Sequence, residues 1–331
     1  MSSVAEATEL LTAALGDRLH RDVALAPMTT YRVGGRAALF VEARSVDDLA
    51  EIADVRRRTG LAVLMIGRGS NMLVADAGFD GIAVSVAELA GVIDLPSSQG
   101  TPGEGCDVVA GGGVSLPVLA RRTAAAGIAG FEWAVGVPGS VGGAVRMNAG
   151  GHGSDMAASL VDVTVFDFDQ TERGAFTRRA AELGLRFRAS SLPPTQVVMS
   201  ARLRLSYGDR AQSEREIAEI VRWRREHQPG GQNCGSVFVN PVPGEVTAGG
   251  LIDGLGLRGL RVGTAFVSEK HANFVQATDG GSATDVRAVI ELVRSRVAEA
   301  TGYKLRSEVR LVGFDDADPM SFDDVAAGVA T

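Results

Sequence analysis

The chain has 331 residues, a net charge of −7 from 33 Lys and Arg against 40 Asp and Glu, and 45% hydrophobic residues. That length and apolar content support a sizeable core in one large or two smaller domains, and the acidic balance with dispersed arginines excludes a nucleic-acid footprint. No apolar run approaches the roughly 18 residues that span a bilayer, and Glu6 and Glu9 stand where a secretory signal is basic. Cys106 and Cys234 form no CxxC, so a cytoplasmic chain with no membrane partner, no disulfide and no metal site is expected.

In chain order, Val4–Leu19 reads as an amphipathic helix, Ala37–Glu42 as a strand, and Ser45–Arg58 as a helix with Ser45 as N-cap and acids in its first turn. Leu61–Ile66 is a strand that feeds a glycine turn. Strand-like runs follow at Gly81–Val86, Val108–Ala110, Val161–Phe168 and Gln196–Leu205, with a helix at Leu116–Ala126 between them, a mixed α+β pattern with much non-parallel sheet. After Ser206 the texture changes to a charged helix at Ser213–Glu226, a strand at Ser236–Asn240, a long helix at Ser282–Ala300 and a strand at Glu308–Val312. The expected division is a helix over 1–20, a domain over 21–206 with a subdivision near 85, a second domain over 207–313, and an acidic tail over 314–331.

Three glycine-rich bends interrupt this pattern. The longest lies in Phe131–Gly150, where Gly136, Gly139, Gly142, Gly143 and Gly150 accompany Pro138 and small residues, with Arg146 the one full positive charge. Glycine reaches positive φ and lets successive amides converge on an anion, so such a run can hold pyrophosphate through the peptide. It is also ordinary punctuation between packed elements. The second bend, Gly67-Arg68-Gly69-Ser70-Asn71, follows a strand directly, and the third, Gly111-Gly112-Gly113, does the same. The Gly67–Asn71 turn is neither a Rossmann fingerprint, since no GxGxxG opens a helix after it, nor a P-loop, since no GKS or GKT occurs there. Three bends after β-type sequence argue for one long dinucleotide lying across several loops.

The motifs Thr29-Thr-Tyr-Arg-Val-Gly-Gly35, Gly67–Asn71, Val137–Ala144, Met147–Gly150, Phe187–Ser190, Asn233-Cys-Gly-Ser-Val-Phe238 and Ser307–Arg310 occur in one order. In that order they resemble the UDP-N-acetylenolpyruvoylglucosamine reductases, FAD enzymes of the vanillyl-alcohol-oxidase-like (PCMH-type) α+β fold with a C-terminal α+β substrate domain. The short link Arg204–Ser213 resembles the subtype without an inserted substrate loop. The resemblance implies FAD and NADPH as cofactors and, as partner, a UDP-sugar enolpyruvyl ether reduced to UDP-N-acetylmuramate in peptidoglycan biosynthesis by a monomeric enzyme.

It also implies roles residue by residue. Arg188 would brace the developing enolate, Ser236 would protonate it, and Glu308 would polarise the carboxylate region. Read alone, Arg188 is a surface arginine sharing a strand face with Arg186, Ser236 opens a strand, and Glu308 pairs with Arg310 on a solvent face. Cofactor contacts are implied for Tyr31, Val33, Gly34, Gly67, Arg68, Gly69, Ser70, Asn71, Met72, Gly112 and Arg310. They are implied too along the long bend, at Gly136, Val137, Pro138, Gly139, Ser140, Gly142, Gly143, Ala144, Asn148, Ala149 and Gly150. Substrate contacts are implied for Arg224, Asn240 and His271, with Asn240 expected on the Ser236 face of its strand. Val239 and Phe187 depart from the family pattern, which has a basic residue and a tyrosine there. An oxidase of the same fold acting on alcohols or sugars would carry a histidine for covalent flavin attachment in the Gly67–Asn71 turn, which has none. A catalytically silent nucleotide-binding module would have no need to keep Arg188, Ser236 and Glu308 together.

Overall fold

The computed structural model describes residues 3–97 and 100–314. The acidic tail expected over 314–331 lies, from Asp315 onward, outside the described residues. The helices are α1 (Ser3–Leu15), α2 (Val46–Thr59), α3 (Leu116–Ala125), α4 (Val141–Arg146), α5 (Arg210–His227), α6 (Ala248–Gly254) and α7 (Ala283–Thr301). None is long and apolar enough to cross a membrane. By internal contacts the described residues form two compact units, one within Met1–Arg21, Leu39–Arg68 and Gly81–Arg224, the other within Asp22–Ala38, Gly69–Asp80 and the described part of the chain from Arg225 onward.

In the first unit, an antiparallel sheet runs in the order Ala175–Arg179, Leu160–Asp167, Gln196–Tyr207, Gly105–Gly111, Ile93–Asp94, with Ile128–Ala129 also paired to the long central strand. Its inward residues, among them Val108, Val163, Val165, Ala201 and Leu203, are fully buried beneath α3 and the 131–146 bend. A further core packs α1 and α2, through Leu11, Leu49 and Ile52, against Leu39, Val41, Ile82 and Val84 of a four-stranded sheet in which Val63–Ile66 and Phe79–Ser85 run parallel. Helix α2 starts where the sequence says it should: the Ser45 hydroxyl accepts the Asp48 amide at 3.1 Å, and Gly60 ends it in the left-handed region.

In the second unit, α7 lays Val286, Val289, Val293 and Val297 against Ala265, Val267 and Val275 of a three-stranded antiparallel sheet. Beside it, Met72–Val74 and Arg310–Val312 pair in parallel. Helix α7 begins on a double cap. Ser282 accepts the Asp285 amide at 3.3 Å, and the Asp76 carboxylate accepts the Ala283 and Thr284 amides at 2.8 and 2.9 Å together with the Ser282 and Thr284 hydroxyls at 2.6 and 2.8 Å.

Two expected elements differ. Val4–Leu19 is helix only to Leu15, followed by a 3-10 turn and a strand from Leu19, because Gly16 takes φ 58° and breaks the helical ladder. Ser236–Asn240 forms no ladder; only Phe238 bridges, to Ser307. Residues Ala175–Arg179 and α6 carry too little hydrophobic periodicity to stand out in the sequence.

Candidate functional site

In the first unit, the glycine bend is held shut by the protein itself. Ser140 caps α4, its hydroxyl accepting the Gly143 amide at 3.4 Å, while Val141 and Gly142 donate to the Val114 and Gly112 carbonyls at 2.9 and 2.8 Å. These amides are therefore not an open anion nest, as the glycine spacing alone suggests. Gly112 and Gly142 are small because α4 packs onto the sheet, and a Cβ on Gly112 would lie 1.9 Å from the Val198 carbonyl oxygen. Arg146, the one full positive charge of the bend, donates to the carbonyls of Leu192, Pro193 and Gln196 at 3.1, 3.1 and 2.5 Å.

The same bend seats Arg188. Asn148, in the left-handed region at φ 37°, donates through its side-chain nitrogen to the Arg186 carbonyl at 3.2 Å and to Asp155 at 3.1 Å, and its side-chain oxygen accepts the Ala157 amide at 2.9 Å. Ser190 donates to the Arg146 carbonyl at 2.8 Å. Between these two ties, Arg186 and Ala189 exchange amide hydrogen bonds of 3.0 and 3.1 Å, so Phe187 and Arg188 form the tip of a hairpin rather than part of a strand. Arg188 and Arg186 consequently do not share a strand face. Arg188 has φ 56°, a conformation that costs a non-glycine residue about 1–2 kcal/mol, and strain of this kind collects where a side chain must be aimed. Its guanidinium lies 5.0 Å from the centroid of the Phe187 ring, which is 57% exposed. Arg224, near the end of α5, is half-buried, and burial pulls its pKa down from the usual arginine range. His152 packs edge-on to Trp223 and is likewise lowered, first by burial and then by the Arg224 charge.

In the second unit, a set of hydrogen bonds links the turn at Gly69–Asn71 to the backbone of Glu308 and on to Val237, the neighbour of Ser236. The Asn71 carboxamide donates to the Glu308 carbonyl at 2.7 Å, and the Arg310 amide donates to the Asn71 carbonyl at 3.0 Å, which brings Arg310 into register with Met72. The Glu308 amide donates to the Val237 carbonyl at 2.7 Å. Ser236, exposed and preceded by Gly235 at φ 85°, therefore sits one residue from the backbone bond that holds Glu308, which is half-buried. Arg310 is exposed at the start of its strand.

Gly69 is buried at φ 56°, and its carbonyl accepts the Thr30 amide at 3.2 Å. Gly34, at φ 105°, would place a Cβ 2.3 Å from the Val74 carbonyl oxygen. Tyr31 and Val33 have their side chains in the core, at 0% and 2% exposure, so only their backbone can face a ligand. Tyr31 lies beside Cys234, whose thiol is pushed up to about 12, first by burial. Asn240 does not share a strand face with Ser236; its side-chain oxygen accepts the Ala248 amide at 3.0 Å at the start of α6. His271 accepts the Asn273 amide on Nδ1 at 3.2 Å, and its pKa is lowered first by burial and then by Arg258.

These residues fit a flavin dinucleotide. Gly67 is exposed, and the buried Thr30 hydroxyl beside Gly69 has no hydrogen-bond partner among the described residues. Among the described residues, no group of three or more His, Cys, Asp or Glu is placed to hold a metal ion. Sequence reasoning missed Asn273. Its only signal is its place two residues after His271, and a buried asparagine cannot be told from an exposed one by composition.

Residues 227–312 match the model of the UDP-N-acetylenolpyruvoylglucosamine reductase C-terminal domain, and residues 37–171 match that of an FAD binding domain. The chain is 42% identical over 303 residues to the UDP-N-acetylenolpyruvoylglucosamine reductase of Synechococcus sp. (strain WH7803), covering 91% of this chain and 95% of that protein. It is 43% identical over 303 residues to the enzyme of the same name from Gloeobacter violaceus, covering 90% and 97%. The crystal structure of the Thermus caldophilus reductase superposes with a TM-score of 0.72 at 33% identity, covering 89% of this chain and 99% of that one. The α+β fold, the FAD-binding segment and the C-terminal domain thus agree, and the chain belongs to the UDP-N-acetylenolpyruvoylglucosamine reductase family.

Proposed function

We propose that this FAD-dependent oxidoreductase reduces UDP-N-acetylglucosamine enolpyruvate with NADPH through Arg188, Ser236 and Glu308. FAD, when bound, supplies the hydride chemistry, with NADPH as the source of the hydride and the terminal carbon of the enolpyruvyl ether as its acceptor. The carbon–carbon π bond opens onto the adjacent carbon, whose negative charge spreads into the carboxylate. Arg188 meets that charge with a permanently protonated, planar fork. Ser236 gives its hydroxyl proton to the carbon, completing the second C–H bond, and recovers a proton from solvent. A serine hydroxyl is a weak acid, so it acts only on a strong base, which an enolate carbon is. Glu308 orients the carboxylate end and assists proton delivery.

The observation that supports this reading is the path Asn71–Glu308–Val237, which bonds the backbone of residue 308 both to the proposed flavin turn and to the neighbour of Ser236 within the second unit. The αL conformation of Arg188 supports an aimed role for its side chain. Gly67–Met72, the backbone of Tyr31, Val33 and Gly34, Gly112, Gly136–Ser140, Gly142–Ala144, Asn148–Gly150 and Arg310 form the proposed flavin contacts, and Arg224, Asn240 and His271 the proposed UDP-sugar contacts. Residues 21–206 serve the cofactor and 207–313 the substrate, in a monomer that works in the cytoplasm on a precursor of cell-wall peptidoglycan. The test is a visible spectrum. The purified protein should be yellow, bleach with NADPH in the absence of oxygen, and recolour on addition of the enolpyruvyl UDP-sugar; a colourless protein that FAD does not colour would overturn the reading.

A further inference from the structure

Ser236 stands on a segment with little secondary structure of its own. Between Ser236 and Asn240 only Phe238 bridges, so the position of the serine is set by the few hydrogen bonds made to Val237, Phe238 and Val239. Two come from the C-terminal segment, where the Glu308 amide donates to the Val237 carbonyl at 2.7 Å and the Val239 amide donates to the Arg306 carbonyl at 3.0 Å. The others come from one residue. The Asn273 backbone carbonyl accepts the Val237 amide at 2.9 Å, its side-chain oxygen accepts the Phe238 amide at 3.0 Å, and its side-chain nitrogen donates to the Phe238 carbonyl at 2.8 Å. The carboxamide thus pairs with both polar groups of Phe238 as a neighbouring strand would. Asn273 is 5% exposed and Phe238 2%, so water does not compete for these bonds. The Asn273 amide is fixed in turn on His271 Nδ1 at 3.2 Å, and the turn is closed by the Phe274 amide on the His271 carbonyl at 3.0 Å.

We infer that Asn273 is a positioning residue for the reduction, its carboxamide replacing a missing strand partner so that Ser236 is held in register with Glu308. The inference rests on the reading of Ser236 as the proton donor. Asn273 touches neither substrate nor cofactor in this role; it acts through the backbone of Val237 and Phe238. An aspartate in its place keeps the acceptor for the Phe238 amide, loses the donor to the Phe238 carbonyl, and sets two oxygens against each other. A displacement of the serine on the order of 1 Å costs about 100-fold in a step that depends on alignment.

The experiment compares Asn273→Asp, Ser236→Ala and the double variant as FAD-loaded holoenzymes, with the two half-reactions followed separately by flavin absorbance and the Val237 and Phe238 amides followed by hydrogen exchange without substrate. Asn273→Asp should leave reduction by NADPH within about twofold of the parent and slow reoxidation by the enolpyruvyl substrate about 100-fold. It should speed exchange of both amides and add no further loss in the Ser236→Ala background, the non-additivity expected of residues that act through one group. Equal slowing of both half-reactions, unchanged exchange, or losses that multiply in the double variant would overturn the inference. Should Asn273→Asp not fold, Asn273→Ser is held to the same outcomes. Fast reoxidation in Asn273→Asp while Ser236→Ala is slow sinks this inference alone; fast reoxidation in Ser236→Ala sinks the proton-donor reading and this inference with it.

Discussion

Replacing Gly69 by alanine tests whether the turn at Gly67–Asn71 is shaped by close backbone contact. A Cβ on Gly69 would lie 2.2 Å from the Met28 carbonyl oxygen, 2.7 Å from the Thr29 Cα and 3.0 Å from the Met28 carbonyl carbon. All three are backbone atoms, so no side chain can rotate away. The φ of 56° adds about 1–2 kcal/mol for any residue with a Cβ. Relief of the clash requires Met28–Thr30 to withdraw, which breaks the hydrogen bond from the Thr30 amide to the Gly69 carbonyl, worth about 1 kcal/mol. With residual overpacking of about 1–3 kcal/mol, the expected loss is about 3–6 kcal/mol. Gly67 supplies the control. Its Cβ would meet the Ser140 hydroxyl at 2.5 Å, a group that can turn aside at the expense of one long bond of 3.4 Å from the Gly143 amide, so Gly67→Ala should lose about 1 kcal/mol or less. Urea unfolding of both variants beside the parent is the assay, with flavin content measured on the same samples. If Gly69→Ala unfolds at the parent midpoint, or Gly67→Ala loses as much, the backbone argument is wrong.

Asp76 should make the second unit acid-sensitive. Burial alone would raise its pKa, but the Ser282 hydroxyl, the Thr284 and Ala283 amides and the Thr284 hydroxyl together hold it below the usual carboxylate value. A carboxyl lowered in the folded state stabilises above its unfolded value near 3.9 and loses that contribution as pH falls through the folded value. Asp76→Ala should therefore cost about 1 kcal/mol at pH 7, the loss of a helix cap discounted for solvent screening, and the gap to the parent should close below about pH 4 in thermal melts; a gap independent of pH would refute the assignment. Cys106 and Cys234 are both buried with raised pKa values, the latter about 12. A thiol reagent at pH 8 should titrate neither in the native protein and both in guanidinium, and rapid modification of one native thiol would contradict the burial.

Much of the fold was legible because hydrophobic period and caps agree over long stretches. Ser45 and Gly60 bound α2 as a capping residue and a left-handed terminator do generally, and the inward valines of α7 recur at helical spacing. Three readings failed where local pattern and tertiary contact part company. The glycines at 142 and 143 look like an anion nest, yet the amides at 141–143 are taken up by the carbonyls of Val114 and Gly112 and the Ser140 hydroxyl, since nothing in a single sequence tells a glycine that makes room for a ligand from one that makes room for a sheet. Period-two alternation placed Arg186 and Arg188 on one strand face, whereas a two-residue hairpin tip reverses the chain between them. Asn240 appeared to share a face with Ser236, but its segment has no ladder to impose alternation and its side chain is drawn to α6. Asn273 was invisible for the converse reason: its partners are backbone atoms 35 residues away, and any sequence can provide those.

The most direct test of the proposed chemistry is the rate of each half-reaction in Ser236→Ala. Bleaching by NADPH should proceed at the parent rate, while recolouring by UDP-N-acetylglucosamine enolpyruvate should fall by about 10²–10⁴-fold, the range for loss of a positioned proton donor. Recolouring at the parent rate, or bleaching and recolouring slowed alike, would contradict the role assigned to Ser236.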